Sequence, residues 1–138
     1  MAPSDPEATR SLAIGLAGEA STLVTDDLTA PAVGSGTIAV YATPALAALM
    51  EQAAVAAIES HLAAGEASVG VHLDLSHTAA TPPGRTVSAT ATLTEIDGRK
   101  LTFEITARDD VEPIGKATHT RVVVDLARFL NKLAGKRL

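Results

Sequence analysis

From Val69 to His77 the chain alternates, with Val69, Val71, Leu73, Leu75 and His77 on one side and Gly70, His72, Asp74 and Ser76 on the other. A period of two is the mark of a half-buried β-strand, and His77 closes its apolar side. The same period returns in Val87, Ala89, Ala91 and Leu93, and again in Leu101, Phe103, Ile105 and Ala107. A fourth strand is expected over residues 114–124. Asp97-Gly98, between Ile96 and Arg99, predicts a two-residue hairpin. The chain also turns at Thr81-Pro82-Pro83-Gly84 and over residues 109–113. Upstream, residues 12–25 read as one irregular strand or two short ones, strongest at Ser21–Thr25. A loop rich in Pro, Gly, Ala and Thr follows over residues 26–36.

Between that loop and the first alternating strand the pattern is different. From Pro44 to Ile58 nearly every side chain is aliphatic, and Thr43-Pro44 is a good helix start, with a hydroxyl to cap exposed amides and a proline suited to the first turn. The helix is predicted to run to about Ala64, with Gly65 as its stop. One carboxylate, Glu51, interrupts it. Its neighbours three and four residues away are Ala47, Ala48, Ala54 and Val55, so no polar stripe runs through it. Burying an unpaired carboxylate costs several kcal/mol, so an acid there reads as a functional group and not as a solvated edge. A last helix is expected from Asp125 to about Leu133, carrying Arg128, Lys132 and Lys136.

One strand, one long apolar helix and a four-stranded antiparallel meander place the chain in the α+β class. A helix apolar nearly all round needs cover on most sides, and a curved antiparallel sheet wrapped around it, the hotdog fold, supplies that cover. A single domain over residues 12–138 is expected, behind a flexible N-terminus over residues 1–11. An exposed sheet edge beside a half-covered helix predicts a homodimer with one continuous sheet.

Composition narrows the function. With 138 residues the chain is one domain by size. A formal charge of -5 and 2% aromatic residues argue against nucleic-acid binding. The absence of cysteine excludes disulfides, thiolate nucleophiles and Cys-ligated zinc. His61, His72, His77 and His119 show no metal-binding spacing, so neither a metal nor another cofactor is expected. The apolar run is too short to span a bilayer and nothing resembles a leader, which predicts a cytoplasmic protein without membrane contact.

The chemistry then gathers on a few residues. By strand parity His77 points at the helix that carries Glu51, so a base and an acid converge in an apolar interior. Thr43 adds a hydroxyl, either as a simple N-cap or as part of the site. It lies eight residues from Glu51, about 12 Å along an ideal helix. For the two to meet, either the chain folds back at Thr43 or the site is shared across a dimer interface.

The string Ser76-His77-Thr78-Ala79-Ala80-Thr81-Pro82-Pro83-Gly84 resembles the fluoroacetyl-CoA thioesterase-like family of hotdog proteins. So do Tyr41-Ala42-Thr43 ahead of Leu49-Met50-Glu51, and Gly115 with Thr118-His119-Thr120-Arg121. The similarity spans about residues 18–133. It implies a dimeric acyl-CoA thioesterase that hydrolyses a short acyl-CoA to the free acid and coenzyme A, with Thr43, Glu51 and His77 catalytic. It further implies that Gly70 places a backbone amide near the substrate carbonyl and that Arg121 is a substrate-binding residue.

For Gly70 the plain alternative is a β-bulge, and for Arg121 a surface salt bridge. Glu51 would act as nucleophile or as base. Arg85, Arg99, Lys100, Lys116 and the Arg128, Lys132, Lys136 row are candidates for the coenzyme A phosphates, although a basic row on a last helix also suits the helix dipole. One departure stands out. The fluoroacetyl-specific members carry an aromatic lid before the catalytic threonine, whereas residues 26–42 here hold one aromatic, Tyr41, so the acyl group stays open. A hotdog hydratase or dehydratase and an idle acyl-CoA binding module are the competing readings.

Overall fold

The computed structural model describes residues 10–137. The elements run β1 (Ala17–Leu23), α1 (Ala30–Val33), α2 (Thr43–Ile58), β2 (Glu66–His77), β3 (Thr86–Asp97), β4 (Lys100–Asp109), β5 (Pro113–Asp125) and α3 (Leu126–Ala134). The five strands form one sheet in the order β1-β3-β4-β5-β2, antiparallel throughout. The sheet curls around α2, which is the hotdog fold. No helix among the described residues is long and apolar enough to cross a membrane.

Packing follows the periodicities. In β3 Val87, Ala89, Ala91 and Leu93 are buried, and in β4 Leu101, Phe103, Ile105 and Ala107. Against them α2 buries Leu46, Leu49, Met50, Ala53, Ala54, Ala57 and Ile58, a stripe at three- and four-residue spacing. The helix lies chiefly over β1 and β3. At Gly18 the two backbones nearly touch: a Cβ there would sit 2.3 Å from the Ala57 nitrogen and 2.4 Å from the Ala53 oxygen. Only glycine permits that approach.

Several boundaries differ from the sequence expectation. The first strand is confined to Ala17–Leu23, and the expected loop over residues 26–36 holds a 3-10 turn, Asp26–Leu28, followed by α1. Helix α2 stops at Ile58 and a 3-10 turn spans Glu59–His61. The residues up to Ala64 are good helix formers, but tertiary ties override that propensity. Ser11 bonds to His61 through both backbone and side chain, and buried Glu66 holds Arg10 and the Ala63 amide. Residues 1–9 of the expected flexible terminus lie outside the described residues, while Arg10 and Ser11 are held by these contacts. The hairpin closes at the Asp97–Lys100 pair, so its two loop residues are Gly98 and Arg99, one place later than expected, with Gly98 at φ +60°.

The largest correction concerns β2. Its pairing with β5 shifts register between Gly70 and His72, a bulge with Val71 as the extra residue. A bulge reverses facing, so the apolar side expected over Val69–His77 is not continuous. Beyond the bulge Leu73, Leu75 and His77 are partly buried; before it, Ser68 and Gly70 meet Arg121, and Val71 is 57% exposed.

Candidate active site

Thr43 opens α2, but its hydroxyl does not cap the helix. The N-cap is Ala42, with no side-chain cap bond. The Thr43 Oγ1 lies instead 2.7 Å from His77 Nδ1. Backbone bonds fix this entry to the helix: the Tyr41 amide donates to the Thr81 carbonyl at 2.8 Å and the Ala42 amide to the Leu28 carbonyl at 2.9 Å. Across the pair, His77 ends β2, and the next amide, Thr78, donates to the Ile114 carbonyl at 2.7 Å. The buried Tyr41 ring stands edge-on to His77, centroids 6.5 Å apart, and burial pushes its phenol up to about 12.

Burial also pulls His77 below the ordinary imidazole value, and the Ala79 backbone offsets part of that. Its ring is therefore neutral at neutral pH, the state in which imidazole accepts a proton. Nε2 is buried and has no hydrogen-bond partner among the described residues. The pair borders a cleft of about 370 Å³, walled by residues 35–38 before the helix and by Ala79 and Ala80 after His77. Tyr41, at 1% exposure, also lines the cleft.

Glu51 belongs to a second cluster. Its Oε2 lies 3.2 Å from Arg121 Nη1 and 3.9 Å from His119 Nε2. Arg121 is 7% exposed and held along one edge by Ser68, Nε donating to Ser68 Oγ at 2.9 Å and Nη2 to the Ser68 carbonyl at 3.1 Å. Burial pulls the guanidinium below its ordinary value and Glu51 opposes that, so the group stays charged. Gly70 lies directly beneath, where a Cβ would be 2.5 Å from Glu51 Oε2 and 3.2 Å from Arg121 Nη1. The bulge and the close approach are thus the same feature.

The five residues expected from sequence therefore fall into two groups. Thr43 joins His77; Glu51, Gly70 and Arg121 join each other. Glu51 does not meet His77, because α2 runs unbroken from Thr43 to Ile58 and nothing folds back. Nor is Glu51 fully enclosed: its side chain is 45% exposed, since Ala48, Gln52 and Ala56 beside it on α2 are bare in the single chain. Arg121 makes no surface salt bridge but an inward one. Sequence reasoning passed over Ser68 and His119. The signal for His119 was the alternation in β5, where Ala117, His119, Arg121 and Val123 are all buried.

A family model described as fluoroacetyl-CoA-specific thioesterase matches residues 24–127. The chain is 44% identical, over 97 residues and 70% of each chain, to the fluoroacetyl-CoA thioesterase of Streptantibioticus cattleyicolor. A solved structure of the fluoroacetyl-CoA thioesterase FlK is similar with a TM-score of 0.87 at 34% identity, over 93% of this chain and 99% of that one. A mutant of FlK in complex with acetyl-CoA gives 0.86 at 34% identity, over 92% and 100%.

Proposed function

Since the chain belongs to the fluoroacetyl-CoA-specific thioesterase family, we propose that it hydrolyses a short acyl-CoA at sites assembled across a homodimer, each from the Thr43–His77 pair of one subunit and the Glu51 cluster of the other. It is an acyl-CoA thioesterase, and its products are the free acid and coenzyme A. Neither the hydratase nor the idle-binding reading gains any support.

The observation that carries the dimeric site is the straightness of α2. Thr43 and Glu51 sit eight residues apart on one continuous helix, about 12 Å along its axis, so one chain cannot bring both to one carbonyl. A two-fold axis pairs the first half-site of each subunit with the second half-site of its partner. Thioester hydrolysis breaks the C–S bond, adds water across it, and needs a base, a nucleophile and a donor for the developing oxyanion. Neutral His77 accepts a proton from Thr43 or from a water beside it. Glu51, aligned by Arg121, supplies the carboxylate that acts as nucleophile or base, and the Gly70 amide supports the oxyanion.

Thiol release over a panel of acyl-CoAs identifies the acyl group. Thr43→Ala, Glu51→Gln and His77→Ala should each lower kcat by about a hundredfold or more. Subunit mixing then tests the sharing. Thr43→Ala and Glu51→Gln protein, each inactive, are unfolded together and refolded. Heterodimers then carry one intact site, and about a quarter of wild-type activity returns. Full activity in Glu51→Gln defeats the catalytic assignment, and no recovery on mixing defeats the shared site.

A further inference from the structure

His119 is the most enclosed titratable group in the Glu51 cluster, at 1% exposure, and no role above accounts for it. Its Nδ1 lies 2.7 Å from the His72 carbonyl oxygen, which only accepts, so Nδ1 carries a proton. Its Nε2 lies 3.2 Å from Arg121 Nη1, which only donates, so Nε2 is bare. The two bonds together demand the neutral Nδ1–H tautomer. Both protons of Arg121 Nη1 are then assigned, one to His119 Nε2 and one to Glu51 Oε2. The Phe103 ring packs beside it, tilted by 31° with the centroids 6.1 Å apart.

We propose that His119 is a positioning residue for hydrolysis: its bare Nε2 holds the Arg121 guanidinium so that Nη1 presents its second proton to Glu51. Ser68 fixes Nε and Nη2, the far side of the guanidinium, and His119 fixes the side that faces the carboxylate. Without that acceptor Nη1 loses its in-plane anchor and Glu51 loses its alignment. The groups facing His119 are Arg121, two residues along the same strand, Glu51 from α2, and His72 through its backbone carbonyl and its imidazole. Burial, with Arg121 and the His72 imidazole, keeps the ring below the ordinary imidazole value against the opposing pull of the His72 carbonyl and Glu51, consistent with a neutral acceptor. The inference rests on Glu51 as the catalytic carboxylate.

Two measurements test it. In wild-type protein labelled with [15N]histidine, His119 should show a protonated Nδ1 and a bare Nε2 at neutral pH, with the resonance assigned by its loss in His119→Gln. The opposite tautomer or a doubly protonated ring overturns the proposal without any need for an active variant. In thiol-release kinetics, His119→Phe keeps the packing and removes the acceptor, and kcat should fall about tenfold or more with KM within about twofold. His119→Gln places an amide oxygen near the Nε2 position and should recover most of that loss. Wild-type kcat in folded His119→Phe, or no rescue by Gln, overturns it. If Glu51→Gln is itself fully active, the failure lies with the catalytic reading instead.

Discussion

His77 has one ring nitrogen committed to Thr43 and the other buried with no hydrogen-bond partner among the described residues, and the cost of charging it falls on the folded state alone. Between its lowered folded value and the ordinary 6.5, the unfolded chain carries a proton that the folded chain does not. Stability therefore rises with pH through that window and declines as pH falls below about 6.5. His119 has the same sign. Urea unfolding between about pH 7.5 and pH 5 should show this decline, shallower in His77→Gln, and the acid limb of kcat/KM should lie below the ordinary imidazole value. A slope of the opposite sign, or one unchanged in His77→Gln, contradicts the burial of a neutral ring. These residues were legible in sequence because each is a polar exception in an apolar setting: Glu51 in the helix, His77 at the strand's end. Their partners were not. Parity aimed His77 at α2 as a whole, and which residue of α2 it meets depends on where the preceding chain enters, a tertiary fact.

The elements show the same limit in another form. Alternation located β3, β4 and β5 well, because their register shifts fall outside the alternating core stretches, at Thr94 after Leu93 in β3 and at Ile114 near the start of β5. In β2 a single extra residue turned Ser68 and Gly70 inward and Val71 outward. The glycine was visible, but a bulge and a close approach to a ligand read alike until the partner strand is in place. The β4–β5 turn hid more. Asp109 read only as a turn former, yet it is 5% exposed, and its carboxylate accepts from the Val111 and Glu112 amides and from Thr81 Oγ1, each at 2.8 Å. Burial alone would push this carboxyl up; those three bonds outweigh it and hold it below the usual range. Thr81 in turn accepts the Tyr41 amide through its carbonyl, so the turn braces the entry to α2. Asp109→Ala should cost about 2–4 kcal/mol in urea unfolding, since it leaves a buried hydroxyl and two amides unpaired. Asp110→Ala, next door but exposed in a pair with Arg85, should change stability by less than about 1 kcal/mol. Similar effects from the two would mean that the turn is a passive connection.

At the scale of the molecule, the uncovered surfaces share one side. Helix α2 covers β1 and β3 and leaves Ala48, Gln52 and Ala56 bare on its other flank. At the opposite end of the sheet β2 is an edge strand of 12 residues, with one side of its backbone unpaired among the described residues. A long open edge next to a helix flank of small residues is what a second copy covers in an isologous contact, and the Glu51 cluster lies between the two. Ala56 lies on that flank and lines the same cleft as Glu51 and Arg121. Ala56 is exposed in the single chain, so arginine there costs the isolated fold little, but in a two-fold contact it sets two long charged side chains where the flank offers alanines. Ala56→Arg should sediment as a monomer with an unchanged circular dichroism spectrum and lose thiol release by about a hundredfold or more, because each half-site is intact but alone. A monomeric Ala56→Arg protein that still hydrolyses acyl-CoA at the wild-type rate would mean that one chain holds a complete site, and the separation of Thr43 from Glu51 along α2 would need another explanation.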